Sequence, residues 1–126
     1  MKKALTCLLF LIFSIYKVKG QIYKGIASFY SDKFNGRLTA SGNVFSNKKM
    51  TAASNLIPLK SVVKVTNIKN NKHIFVYIND RMNKNSTRLI DLTKKAAKEL
   101  NFMKEGITLV RVEIFYFPSY FEELKL

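Results

Sequence analysis

Apolar and polar positions follow a period of two along most of the chain and switch to a helical period once. Residues Ile22 to Tyr30 (IYKGIASFY) mix apolar and aromatic residues with small ones, which predicts a first strand with a close-approach glycine at Gly25. Val62-Val63-Lys64-Val65-Thr66-Asn67 predicts a clear strand that Asn70-Asn71 turns back into Ile74 to Ile78, so residues 62 to 78 read as a hairpin. Nearly every residue in Ile74-Phe75-Val76-Tyr77-Ile78 is β-branched or aromatic, the composition of a strand buried on both faces. Leu89-Ile90 is a short apolar strand ending at Asp91. Helical spacing then begins: Leu92, Ala96, Ala97 and Leu100 form one stripe, Thr93 offers an N-cap and Asn101 a left-handed stop, giving a helix over about residues 93–101. In Ile107 to Phe117, Val110, Val112, Ile114 and Tyr116 alternate with Arg111 and Glu113 until Pro118 ends the strand.

The remaining pieces are short. Ser31 to Ser46 is rich in turn formers, with Gly36 and Gly42 where a positive φ is cheap, and Met50 to Leu59 supplies brief apolar pieces around a proline turn. Six or so short strands with a single helix imply a mostly β fold, a small closed barrel, because closure removes bare strand edges.

At 126 residues the chain holds one domain of ordinary size. Its start reads as a secretory leader: Lys2-Lys3, a 13-residue apolar run from Ala4 to Tyr16, then Val18 and Gly20 before a cut at Gln21. That run is short of the roughly 20 residues a permanent membrane helix needs, so no stable span is expected after processing. The expected organisation is a signal peptide at 1–20, the barrel at 21–117 and a tail at 118–126. Cys7 is the sole cysteine and lies inside the leader run, too early for a lipoprotein acceptor, so the mature chain has neither a disulfide framework nor a thiol nucleophile. His73 is the sole histidine; with no mature cysteine beside it, no metal and no cofactor are expected. Net charge is +14, and removing Lys2, Lys3, Lys17 and Lys19 leaves 14 minus 4, or +10. Such a surface suits an anionic polymer or membrane surface, or simply solvates the fold; nucleic acid is not expected for an exported protein.

Two aspartates carry the candidate chemistry. Asp80 follows a strand end, where a rigid element delivers a carboxylate to solvent, and Asp91 repeats the arrangement, so both can face one cleft. Each also has a purely structural reading, Asp80 as a turn acceptor and Asp91 as a helix-start cap. Phe29 and Tyr30 either plug the core or offer ring faces to a sugar. Arg37 can clamp an anion or stand as an ordinary surface arginine.

The order of motifs resembles the rare lipoprotein A family, whose domain is a double-psi β-barrel. Gly25 to Tyr30 is similar to its G-x-A-S-W/F-Y, Gly36 to Gly42 to its G-R-x-T-A-S/N-G, and Thr51-Ala52-Ala53 with Leu56 to Leu59 to its T-A-A-H-x-x-L-P-F/L. Val63 to Asn67 resembles V-x-V-T-N, Ile78-Asn79-Asp80-Arg81 the I/V-N-D-R hallmark, and Arg88 to Thr93 the R-I-I-D-L-S that opens the helix. The resemblance runs from residue 25 to about 114. It implies a six-stranded double-psi barrel, located in the periplasm or cell envelope, that acts on peptidoglycan glycan strands as an endolytic transglycosylase and works as a monomer. Of the family's glutamate, histidine and aspartate, this chain has Asn43, Ser54 and Asp80, and Met82-Asn83 replace the glycine and proline after N-D-R.

One carboxyl group suffices for a lytic cleavage in principle. The sugar's own hydroxyl attacks, so the same group can protonate the leaving oxygen and then take a proton back. A nearby carboxylate favours the proton-bearing form of such a group and a nearby cation the ionised form, so Asp91 and Arg81 would pull in opposite directions. The expected site is Asp80 as acid and base, with Tyr30, Arg37, Asn43, Ser54, Asn79, Arg81 and Asp91 contacting substrate. The alternative is a catalytically weak glycan-binding barrel like the expansins, since Asn43 cannot transfer a proton. A module that binds an acidic partner by charge alone is a third reading.

Overall fold

The computed structural model describes residues 21–116; the expected leader and the tail lie outside the described residues. Six strands form a closed barrel: β1 (Ile22–Phe29), β2 (Thr51–Ala53), β3 (Val62–Asn67), β4 (His73–Asp80), β5 (Ile90–Leu92) and β6 (Thr108–Tyr116). Among the described residues one α-helix, α1 (Lys94–Glu99), sits between β5 and β6, and a short 3-10 turn covers Asp32–Phe34. Around the barrel the order is β1, β5, β2, β4, β3, β6 and back to β1. The β1–β5 and β2–β4 pairs are parallel and the other four are antiparallel.

Inward residues of every strand meet at one core. Val63, Val65, Val76, Ile78, Ile90, Leu92, Val110 and Val112 fill the barrel, while Leu100 and Phe102 bring the helix end onto it. The expected stripe of α1 is buried throughout, and Thr93 caps the helix by accepting a hydrogen bond from the Ala96 N–H. Asn101 adopts φ 58°, the left-handed stop that its side chain tolerates. Gly25 is required by close approach, because a Cβ there would lie 2.7 Å from the Cβ of Leu89.

One expectation is corrected. β4 is not buried on both faces: Ile74, Val76 and Ile78 point inward, but Phe75 is 48% exposed on the outer face. Its apolar character is spent on an edge-to-face contact with Phe115, ring centres 5.2 Å apart, rather than on a second buried layer. A barrel wall covered by no outer layer has one wet side, and composition alone does not reveal it.

A break in register positions the chemistry. Along β2 and β4 the pairs run Thr51 with Tyr77, Ala52 with Ile78, then Ala53 with Asp80, so β4 advances two residues where β2 advances one. The extra residue is Asn79. By simple alternation Asp80 would share the inward face of Ile78; the bulge turns it onto the face of Ala53 instead.

Candidate active site

Asp80 ends β4 with both carboxylate oxygens engaged. Oδ1 accepts the backbone N–H groups of Ala40 and Arg81, each at 2.9 Å, and Oδ2 accepts the Tyr30 hydroxyl at 2.7 Å. With about two lone pairs per oxygen, Oδ1 is saturated and Oδ2 keeps one position for a ligand. The Ala40 donor comes from a tight loop in which Gly42 turns at φ 88° and its N–H donates to the Thr39 carbonyl. That loop is laid across the end of β4 by a further bond from Ser41 N–H to the Asn79 carbonyl, 3.1 Å.

Tyr30 is 7% exposed, so its ring belongs to the protein and not to a sugar. It packs on Phe45 with ring centres 4.2 Å apart and edge-on to Phe34, in a second apolar cluster with Ala53 and Met82. Burial first, then the hydrogen bond to Asp80 and the charges of Asp80 and Asp91, raise its hydroxyl well above the ordinary value. The group therefore remains a proton-bearing donor.

Asp91 lies within β5 rather than after a strand, and Thr93, not Asp91, caps the helix. Ala53 pairs with both Asp91 and Asp80, which puts the two aspartates in one row across β2, about 10 Å apart at the backbone by two strand spacings. Ser28 on β1 donates its hydroxyl to Asp91 Oδ1 at 2.9 Å. Burial raises the Asp91 carboxyl above its ordinary value; the Ser28 hydroxyl and Arg88 oppose this, and the Asp80 charge adds to it.

The other expected residues separate into two groups. Asn43 sits exposed in the Ala40 loop, its side-chain oxygen accepting from the Ser41 hydroxyl at 2.8 Å, and Arg37 lies over the Phe34 ring at 5.2 Å. Both are available at the rim. Ser54 and Arg81 instead face the fold. Ser54 is 0% exposed and donates its hydroxyl to the Leu89 carbonyl, while the Arg81 guanidinium donates to the carbonyls of Ser54 and Ile57, away from Asp80. Asn79 is buried, contributing its carbonyl and the bulge.

Three participants were absent from the expected set. Ala40 acts through its backbone N–H, for which side-chain chemistry gives no signal. Ser28 stands inside the Gly25–Tyr30 motif but shows its role only when β1 pairs with β5. Phe45 wedges the Tyr30 ring from a turn-rich segment otherwise polar.

Comparisons with known proteins bear on the family and the fold. A family model described as "Lytic transglycolase" matches residues 22–112. Proteins named endolytic peptidoglycan transglycosylase RlpA are similar: that of Haemophilus influenzae is 43% identical over 111 residues, covering 78% of this chain and 39% of that protein. The Rickettsia typhi protein is 42% identical over 117 residues, covering 82% of this chain and 36% of that protein. This chain thus spans under two-fifths of those relatives' length. Among solved structures, Streptomyces papain inhibitor superposes with a TM-score of 0.63 at 22% identity, covering 77% of this chain and 96% of that one. The Clavibacter michiganensis expansin gives 0.61 at 16% identity, covering 76% and 51%, and both likenesses concern the fold. With a closed six-stranded barrel, a family match over residues 22–112 and relatives above 40% identity over most of its length, the chain belongs to the lytic transglycosylase family of double-psi β-barrels.

Proposed function

We propose that the protein is an endolytic transglycosylase that cleaves peptidoglycan glycan strands between N-acetylmuramic acid and N-acetylglucosamine in the cell envelope. The observation that carries this reading is the Asp80 carboxyl, held at a strand end in one row with Asp91 and with its Oδ2 accepting the Tyr30 hydroxyl. In the reaction the Oδ2 proton passes to the leaving glycosidic oxygen as the bond from the muramic C1 breaks. The muramic residue's own hydroxyl attacks C1, closing an anhydro ring, and its proton returns to Oδ2, so the carboxyl group ends as it began. No outside water is consumed.

Around that centre Asn43 offers an amide to an N-acetyl group and Arg37 a cation to acidic groups of the wall polymer. Ser54 and Arg81 shape the loop beneath. The test is incubation of the purified mature protein with peptidoglycan, followed by analysis of the products. The expected result is release of anhydro-muramic ends by the wild type and a loss of at least about 100-fold in Asp80→Asn, the scale of a general acid–base contribution. Binding to sacculi without any release would instead establish a glycan-binding barrel.

A further inference from the structure

We infer that Tyr30 is the positioning residue of the Asp80 carboxyl, holding Oδ2 as the one oxygen that exchanges a proton with the sugar. This rests on the reading of Asp80 as acid and base and goes beyond it by assigning the oxygen and its keeper. Three observations carry it. Oδ1 already accepts two backbone N–H groups and has no capacity left for substrate. Among the described residues Oδ2 accepts a single bond, from a hydroxyl that lies 50 residues away in sequence and is brought in by β1. The ring carrying that hydroxyl is clamped by Phe34 and Phe45, so the donor cannot swing away.

The arrangement divides labour within one carboxyl group. The backbone donors fix the plane of the group, and the Tyr30 hydroxyl fills one side of Oδ2, leaving the remaining lone pair as the sole route for proton transfer. Tyr30 does not give up its own proton, because burial opposes its ionisation. It acts through Asp80 and is not itself a catalytic residue.

The experiment uses the mature protein on purified glycan strands. Tyr30→Phe keeps the ring and removes the hydroxyl; kcat should fall about 10–100-fold, as for a misaligned reacting group, with KM changed by less than about twofold. Adding Tyr30→Phe to Asp80→Asn should cost nothing further, because the two act as one unit. Wild-type activity in Tyr30→Phe, or losses that simply add in the double variant, overturns the inference while leaving the proposed reaction standing. Independently of turnover, the wild-type spectrum should contain a downfield hydroxyl proton resonance of Tyr30 that is missing in Asp80→Ala, and its absence from wild type overturns the pairing. A wild type that releases no anhydro ends brings down the proposed reaction and this inference together.

Discussion

Asp91 and Gly25 make different demands on the fold, one electrostatic and one steric. Asp91 is a half-buried carboxyl whose proton affinity is raised in the folded state, chiefly by desolvation. Between its ordinary value of 3.8 and the raised folded value, the native state binds more protons than the unfolded chain, so stability falls as pH rises through that window. Asp91→Asn removes the charge and retains an acceptor for Ser28. It should therefore stabilise the protein at neutral pH and have little effect on stability below 3.8, as thermal unfolding across pH would register; an equal gain at both ends would show that ionisation is not the cause. Gly25 makes a steric demand instead. Gly25→Ala drives a methyl into the Leu89 Cβ, and the expected destabilisation is about 1–3 kcal/mol in denaturant titrations, the range for overpacking. The glycine was readable from composition alone because a glycine inside a strand pattern announces close approach. The Tyr30 ring was not, since whether an aromatic side chain faces sugar or core depends on Phe34 and Phe45, which the turn-rich segment 31–46 folds over it.

Among the elements, the segment from Ser31 to Lys49 matters beyond its lack of regular structure, because it carries the Ala40 donor. Asn47 ties it down. Its side chain donates to Asp32 Oδ1 and the Tyr30 carbonyl and accepts from the Lys94 N–H at the start of α1, while its own N–H donates to Asn35 Oδ1. Asp32 in turn pairs with Lys94 at 2.8 Å, a contact that lowers its carboxyl below the ordinary range. Asn47→Ala should free the segment without opening the barrel: hydrogen exchange should accelerate in 31–49 and at the first turn of α1, with β3, β4 and β6 still protected. The helix was legible in sequence because Thr93 and Asn101 do their work within a turn or two of themselves. The bulge at Asn79 was not, since it exists only relative to β2, whose partner strands are β4 and β5. The same dependence on partners explains why β4 read as doubly buried when Phe75 faces outward.

At the scale of the molecule, the charge near +10 expected after leader removal would add a diffuse attraction for an anionic polymer to the proposed contacts of Asn43 and Arg37. Binding to sacculi should weaken with salt and persist at about 1 M, where screening acts within about 3 Å; complete loss at moderate salt would mean that charge alone does the binding. The closed barrel was expected because several short strands need a way to hide their edges, yet its strand order was beyond the reach of local pattern. That order has a consequence for synthesis. Ile22 on the first strand is aligned with Glu113 on the last, so a chain emerging from the ribosome cannot seal the cylinder until nearly all of it has appeared. Until then β1, whose end delivers Tyr30 to Asp80, lacks one of its two neighbouring strands. The proposed centre, built on such long-range closure, gains its full support only when the last strand docks.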